Sequence, residues 1–414
     1  MVGLNFREKM NLHNSIAIPH NCIPKIVLLE WSHCLNLREI MNESIYTKRA
    51  AELVKLLKDS PETGCDGAWI IKPENRRYLS GFSAEDNLFT ESSGSLLING
   101  ANRLLITDSR YTLAAENEAA EFEVYTLKKK FVEDIPVFTK NLSFCRLGFE
   151  EDYLTWDLYR KTAEKLSELS PPAALTPLNG VVEKMREIKE DREVDALETA
   201  ADMISEILDE IISALKPGVT EKDVAWRIKS LAREAGAEGL SFPSIVASGP
   251  NSAMPHAVPT NRKIRSGEPI ILDAGVRLNG YCSDITRTVF LGEPDRFFKT
   301  IYRTVRQAQL AALAQIHPLV QSSHVDAVAR DMIADAGFGA YFGHGLGHGV
   351  GLATHEGPRL GPRNAALLRP GTVFTVEPGI YVPERGGVRL EEMVVLEAEG
   401  PRVLTRNDHF YDFL

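Results

Sequence analysis

The chain has 414 residues, too long for one ordinary core of roughly 100–200 residues, so two or three domains are expected and a single small module is excluded. Hydrophobic residues make up 44% and charged residues 25%, the balance of a globular protein rather than a disordered one. With 47 Lys plus Arg against 57 Asp plus Glu, the formal charge is −10, the wrong sign for gripping phosphate backbones, and nucleic acid is excluded as a partner.

The five cysteines, Cys22, Cys34, Cys65, Cys145 and Cys282, show no CxxC or paired spacing, so they read as reduced thiols rather than a zinc site or a disulfide framework. No run reaches the ~18–20 apolar residues needed to span a bilayer, and the first thirty residues lack a basic start followed by an apolar stretch. A cytoplasmic protein with no membrane partner is expected. Residues 1–43 carry little periodic pattern and read as an N-terminal extension: a poorly ordered tail, a segment upstream of a start at Met41, or an interaction arm.

From residue 44 to 178 the pattern is that of an α/β domain. Ile45 to Leu57 reads helical, and short apolar runs follow at Ala68–Ile71, Ser95–Ile98 and Leu104–Ile106, separated by Asn- and Gly-rich breaks. Pro171-Pro172 and Pro177-Leu178-Asn179-Gly180 then punctuate the chain and set a boundary near 178–182. Over 182–414, apolar residues from Ile188 through Leu215 keep helical spacing until Pro217-Gly218. Thr220, with Asp223 three residues on, predicts the N-cap of a second helix through about Ala235. A hairpin is predicted over Pro269–Phe290 with Asn279-Gly280 as its turn. The order then repeats, with helices near 297–315 and 323–336 and a hairpin from about 372 to 397. Leu272-Asp273-Ala274-Gly275 and Val376-Glu377-Pro378-Gly379 share one pattern 104 residues apart, which suggests two αα-ββ halves.

Each predicted hairpin carries two acids. Asp273 and Asp284 lie 11 apart around the first turn, within a residue or two of facing each other, and Glu377 and Glu391 lie 14 apart around Pro383–Gly386. Acids in apolar strands such as Ile270-Ile271-Leu272-Asp273 must be paired, protonated or bound to a metal. Two carboxylates about 4 Å apart repel by about 4 kcal/mol at an effective dielectric near 20, and two divalent ions would balance four such charges. The alternative is four separate acids, each salt-bridged or exposed. His344, His348 and His355 lie in or beside the glycine-rich segment Gly343–Gly351, which contains no dinucleotide-binding G-x-G-x-x-G, and His256 follows the Gly249-Pro250-Asn251 turn as a fourth candidate. Oxygen-rich donors with one imidazole suit Mn²⁺, with Co²⁺, Zn²⁺ or Fe²⁺ as alternatives, and metal-assisted hydrolysis is the reaction class.

Leu272–Gly275, Ser283–Thr288, Gly343–Gly351, Val376–Ile380 and Val388–Glu392 together resemble the metal motifs of the pita-bread metallopeptidases. Tyr78–Phe82 and Leu105–Tyr111 resemble the N-terminal domain that prolidase, aminopeptidase P and creatinase share. The resemblance implies an α+β protein with a C-terminal pita-bread (creatinase/aminopeptidase) fold and an N-terminal α/β creatinase-like domain. It implies a dinuclear site of Asp273, Asp284, His348, Glu377 and Glu391, an Xaa-Pro peptidase of aminopeptidase P or prolidase type, and attack by a metal-bridging hydroxide. His256, His344 and His355 would line the substrate site, Glu377 would shuttle the proton, and Arg359 resembles a position some prolidases use to hold the proline carboxylate. Glu392 stands where the family often has Asp. The resemblance also implies proline-containing peptides as partners and a homodimer whose N-terminal domain helps close the other subunit's site. The other readings are a metal-dependent hydrolase of another C–N or related bond, or a non-enzymatic binding protein on the same fold.

Overall fold

The structure, a computed structural model, describes residues 44–59, 64–86, 92–100, 102–142 and 144–413. The expected extension over 1–43, with Cys22, Cys34 and Met41, lies outside the described residues. In the N-terminal part, strands β1 (Gly67–Ile70), β2 (Ser95–Asn99), β3 (Asn102–Thr107), β4 (Glu123–Thr126), β5 (Arg146–Phe149) and β6 (Ala174–Pro177) form one sheet in the order β4-β3-β2-β1-β5-β6. Strands β1, β2 and β3 pair antiparallel, while β3–β4, β1–β5 and β5–β6 are parallel.

Both faces of this sheet are covered, which is why the apolar runs read as continuous rather than alternating. Ala68, Ile70, Leu96, Ile98 and Leu105 pack with Leu53 and Leu57 of helix Ile45–Asp59 and with Leu79 of helix Pro73–Ser80. Their strand neighbours Trp69, Leu97, Leu104 and Ile106 pack on the other side with Phe138 and Leu166 of helices Phe131–Phe138 and Trp156–Ser167.

A short helix, Val181–Glu187, leads into the C-terminal part. The long helix that follows starts at Asp191 rather than Ile188, because Glu190 and Glu193 form a capping box there while Ile188 bridges to Thr372. Thr220 caps helix Glu221–Glu234 as expected, with Asp223 completing the reciprocal bond. The second pair, Arg296–Ala314 and Ser322–Asp335, matches the repeated order.

The first hairpin folds about Asn279 and Gly280, whose φ values of 51° and 83° are those of a type I′ turn. It is not one ribbon: its outer strands β9 (Pro269–Ala274) and β12 (Ile285–Phe290) pair with each other and form a sheet in which β8 (Ile245–Ser248) flanks β9, while β10 (Val276–Leu278) and β11 (Tyr281–Cys282) form a separate sheet with β7 (Gly239–Leu240). The second hairpin divides in the same way. Strands β15 (Val373–Val376) and β18 (Glu392–Leu396) join β13 (Gly347–Gly349), β14 (Glu356–Leu360) and β19 (Pro401–Val403), whereas β16 (Gly379–Val382) and β17 (Gly386–Arg389) pair alone.

Strand alternation decides where the acids point. Leu272, Ala274, Ile285 and Val289 belong to the core under the first helix pair, and Val376, Ile380, Val388, Leu390 and Val394 to the core under the second. Asp273, Asp284, Glu377 and Glu391 have the opposite parity, so they face away from the helices. No helix among the described residues is long and apolar enough to cross a membrane.

Candidate metal centre and substrate cavity

The observed register puts Asp273 opposite Thr286, two residues from Asp284. Glu377 and Glu391 lie just beyond the Val376–Glu392 and Gly379–Arg389 pairs of one continuous register and so face each other. Ligand atoms of Asp284, His348 and Glu391 lie within 4.8 Å of one another. His348 Nε2 is 3.3 Å from Glu377 Oε1 and 3.8 Å from Asp284 Oδ2. His348 Nδ1 lies 3.1 Å from the Gly349 carbonyl, an acceptor, so Nδ1–H donates there and Nε2 turns to the acids.

Part of the glycine-rich segment is strand β13, inserted between β14 and β15. A Cβ at Gly347 would stand 1.9 Å from the Thr375 carbonyl oxygen, so only glycine allows this approach. His348 thereby comes between the two hairpins, with its backbone N–H donating to Thr375 Oγ1.

The electrostatics favour cations. Burial first, then Glu391 and Asp273, push Asp284 well above the carboxylate range; burial first, then Glu377 and Asp273, do the same to Glu391. Asp273 is also raised, chiefly by burial and against the opposing pull of Arg389. Glu377 is held down to about 2: burial opposes this, and the His348 hydrogen bond overcomes it. Asp273 Oδ1 is buried with no hydrogen-bond partner among the described residues. Crowded acids with an orphaned oxygen and an imidazole nitrogen turned among them are a donor set that fits hard divalent ions.

Around this floor lies a cavity of about 790 Å³ that His256, His344, His355 and Arg359 all line. The His355 ring lies 4.3 Å from that of His348, centre to centre, with the planes tilted by 59°, and burial, then His348, lowers its pKa. Arg359 is exposed on β14 directly opposite His348, and no ion pair engages it among the described residues. His344 is more enclosed: Nδ1 lies 2.8 Å from the Gly345 carbonyl, and Nε2 lies 2.9 Å from the Tyr381 hydroxyl. Burial lowers its pKa, so the neutral ring donates from Nδ1 and accepts at Nε2.

Four residues at this floor escaped the sequence reading. Arg389 donates to Asp273 Oδ2 at 2.6 Å, to the Tyr381 hydroxyl at 2.9 Å and to Thr286 Oγ1 at 3.1 Å. Thr286 in turn donates to Glu391 Oε2 at 2.8 Å, and Thr375 donates to Glu377 Oε1 at 3.1 Å. Glu392 turns the other way and pairs with fully buried Arg287 at 3.0 Å.

The family model of the creatinase/prolidase N-terminal domain matches residues 49–188, and that of metallopeptidase family M24 matches residues 195–398. An Xaa-Pro dipeptidase of Pyrococcus furiosus is 33% identical over 86% of this chain and 98% of its own length. An Xaa-Pro dipeptidase structure from Bacillus anthracis superposes with a TM-score of 0.81 at 37% identity, covering 87% of this chain and 98% of that one. An X-Pro aminopeptidase structure from Thermotoga maritima gives 0.75 at 35% identity, covering 83% and 96%. With two family models matched in tandem and relatives aligned from end to end, the chain belongs to metallopeptidase family M24, whose members bind divalent metal, and carries the pita-bread fold behind a creatinase-type N-terminal domain.

Proposed function

We propose that this chain hydrolyses Xaa-Pro bonds, with free dipeptides as its preferred substrates. The observation that carries the reading is the meeting of Asp284, His348 and Glu391, with Glu377 Oε1 3.3 Å from His348 Nε2 and Asp273 lining the same cavity, whose walls also offer His256, His355 and an unpaired Arg359. Xaa-Pro dipeptidases among the relatives support it.

Asp273, Asp284, His348, Glu377 and Glu391 would hold two divalent ions, manganese before cobalt, zinc or iron. Such ions supply Lewis acidity to the scissile carbonyl and acidify a water. The chain's own residues do the rest. Glu377, kept ionised beside His348 and Thr375, takes a proton from the attacking water and returns it to the prolyl nitrogen as the C–N bond breaks. His256 and His355 donate hydrogen bonds where negative charge develops on the carbonyl oxygen. His344, fixed by Gly345 and Tyr381, lines the substrate side. Arg359 forks onto the free proline carboxylate. Because the prolyl amide lacks an N–H, a site relying on that donor fails and a dedicated pocket is needed.

The cavity of about 790 Å³ exceeds the needs of a dipeptide, which favours aminopeptidase P activity on longer peptides as the second reading. Mn²⁺-supplemented hydrolysis of a matched Xaa-Pro dipeptide and Xaa-Pro-Yaa-Yaa peptide, with product analysis, separates the two. Cleavage of the dipeptide alone supports the first reading, and cleavage of the longer peptide the second. Cleavage of neither, with turnover of another C–N substrate, overturns both. The same reading divides the chain at 178–182 and carries with it a cytoplasmic homodimer, which light scattering tests by mass.

A further inference from the structure

His355 lines the cavity, yet among the described residues no hydrogen bond holds its imidazole. Its placement therefore depends on the backbone of its loop, and the next residue, Glu356, is the anchor. Glu356 Oε1 accepts from the Ala353 backbone N–H at 2.8 Å and from Arg186 Nη2. Its other oxygen lies 3.2 Å from Lys189 Nζ. One carboxylate thus holds positions 353 and 356, on both sides of His355.

The cations come from outside the catalytic sheets. Arg186 sits on helix Val181–Glu187, its side chain 5% exposed. Its other terminal nitrogen donates to Asn75 Oδ1 at 2.6 Å. Asn75, on helix Pro73–Ser80, donates in turn to Glu150 Oε1 at 2.6 Å and Glu183 Oε1 at 2.7 Å. Glu183 also accepts from Lys72 at 2.7 Å. Buried polar groups therefore run without a break from the N-terminal sheet to the residue beside His355. Burial raises the Glu356 carboxyl, but Arg186 and Lys189 prevail and hold it at about 2, so the pairing is ionic throughout the working pH range. A buried ion pair is weak as a stabiliser, since taking both charges out of water offsets most of their attraction; what it supplies is a fixed geometry.

We propose that Arg186 is a positioning residue: through Glu356 it fixes the loop that presents His355, so that the helix linking the two domains, tied to the N-terminal domain at Asn75, sets the geometry of the peptide site within one chain. This rests on the reading that His355 contacts the reacting peptide. Arg186→Met is a clean probe because it leaves Glu356 and Lys189 paired one to one.

The test measures kcat, KM and bound metal for Arg186→Met, with Arg186→Lys as the conservative variant, in the wild-type and His355→Ala backgrounds. Arg186→Met is expected to lower kcat about tenfold with KM changed less than about twofold and metal content full. Arg186→Lys is expected to restore most of the loss. In the His355→Ala background, Arg186→Met is expected to change kcat less than about twofold, because non-additivity marks residues acting through one another. An equal loss in both backgrounds overturns the proposal, as does metal falling in step with activity, or an unchanged kcat. A His355→Ala enzyme with wild-type kcat instead overturns the site reading itself. Should Arg186→Met fail to fold, Arg186→Gln is taken through the same cycle with the same outcomes.

Discussion

Glu356, Asp273, Asp284 and Glu391 carry buried carboxylates, and Glu377 a nearly buried one, yet Glu356 faces two protein cations while the four acids of the cluster share Arg389 and His348. The titration follows the partners: Glu356 is held at about 2, and so is Glu377 beside His348, whereas Asp284 and Glu391 are driven well above their ordinary range. Burial does not by itself make a carboxylate a candidate ligand. The deficit of cations does, because the missing charge must come from outside the chain. Glu392, beside Glu391 in sequence but paired with Arg287, falls on the Glu356 side of this division.

The largest expected effect breaks the deficient cluster. Asp284→Asn or His348→Ala is expected to lower kcat/KM by about a thousandfold or more, with bound metal reduced and the circular-dichroism spectrum unchanged. Elemental analysis beside kinetics checks this, and full activity in a metal-free variant would sink the centre proposed here. Next, Tyr381→Phe removes the hydroxyl between His344 and Arg389. It is expected to lower kcat about tenfold with metal retained, as steady-state kinetics and elemental analysis would show.

Chelation sharpens the contrast through stability. Metal removal is expected to lower the melting temperature of the wild type by about 5 °C, while the destabilisation of Glu356→Gln stays the same with or without metal. A metal-dependent Glu356→Gln penalty would erase the distinction between the two regions.

The smallest effect is in pH, and its sign differs between the regions. Glu356 has its carboxyl depressed from 4.5 to about 2, so its contribution is full above 4.5 and is lost as pH falls toward 2. The stability gap between wild type and Glu356→Gln should close over that window. Asp284 and Glu391 are raised, so in chelated protein their contribution is present below the ordinary carboxylate values and is lost as pH rises through the raised ones. Mild acidification should therefore narrow the melting gap between chelated and metal-loaded protein. Melting curves across pH, with and without chelator, read both trends.

Much of this was legible in the chain. The two hairpins, the Thr220 cap and the four acids follow from local pattern, because turn chemistry and strand period act over a few residues. The same period could have found more. Thr286 lies two residues from Asp284, Thr375 two from Glu377, Tyr381 four from Glu377 and Arg389 two from Glu391, all on the ligand face of their strands. Strand β13 was hidden because alternating glycines carry no strand propensity, and its place is set by the neighbouring Thr375 carbonyl. Arg186 and Glu356 lie 170 residues apart, a partnership no local pattern encodes, and the division of each hairpin between two sheets depends on what packs around it.

The hydrogen bond from Thr286 to Glu391 joins side chains 105 residues apart, one from each half of the duplicated architecture. An ion held by Asp284 and Glu391, as proposed, would act beside that bond as a clasp over nearly the same span, restraining the open chain much as a cross-link would. With two of the four acids on each half, either half coming loose would weaken its hold. Endurance and turnover would then rest on the same handful of atoms, and gradual loss of the ion would age the enzyme in both respects together.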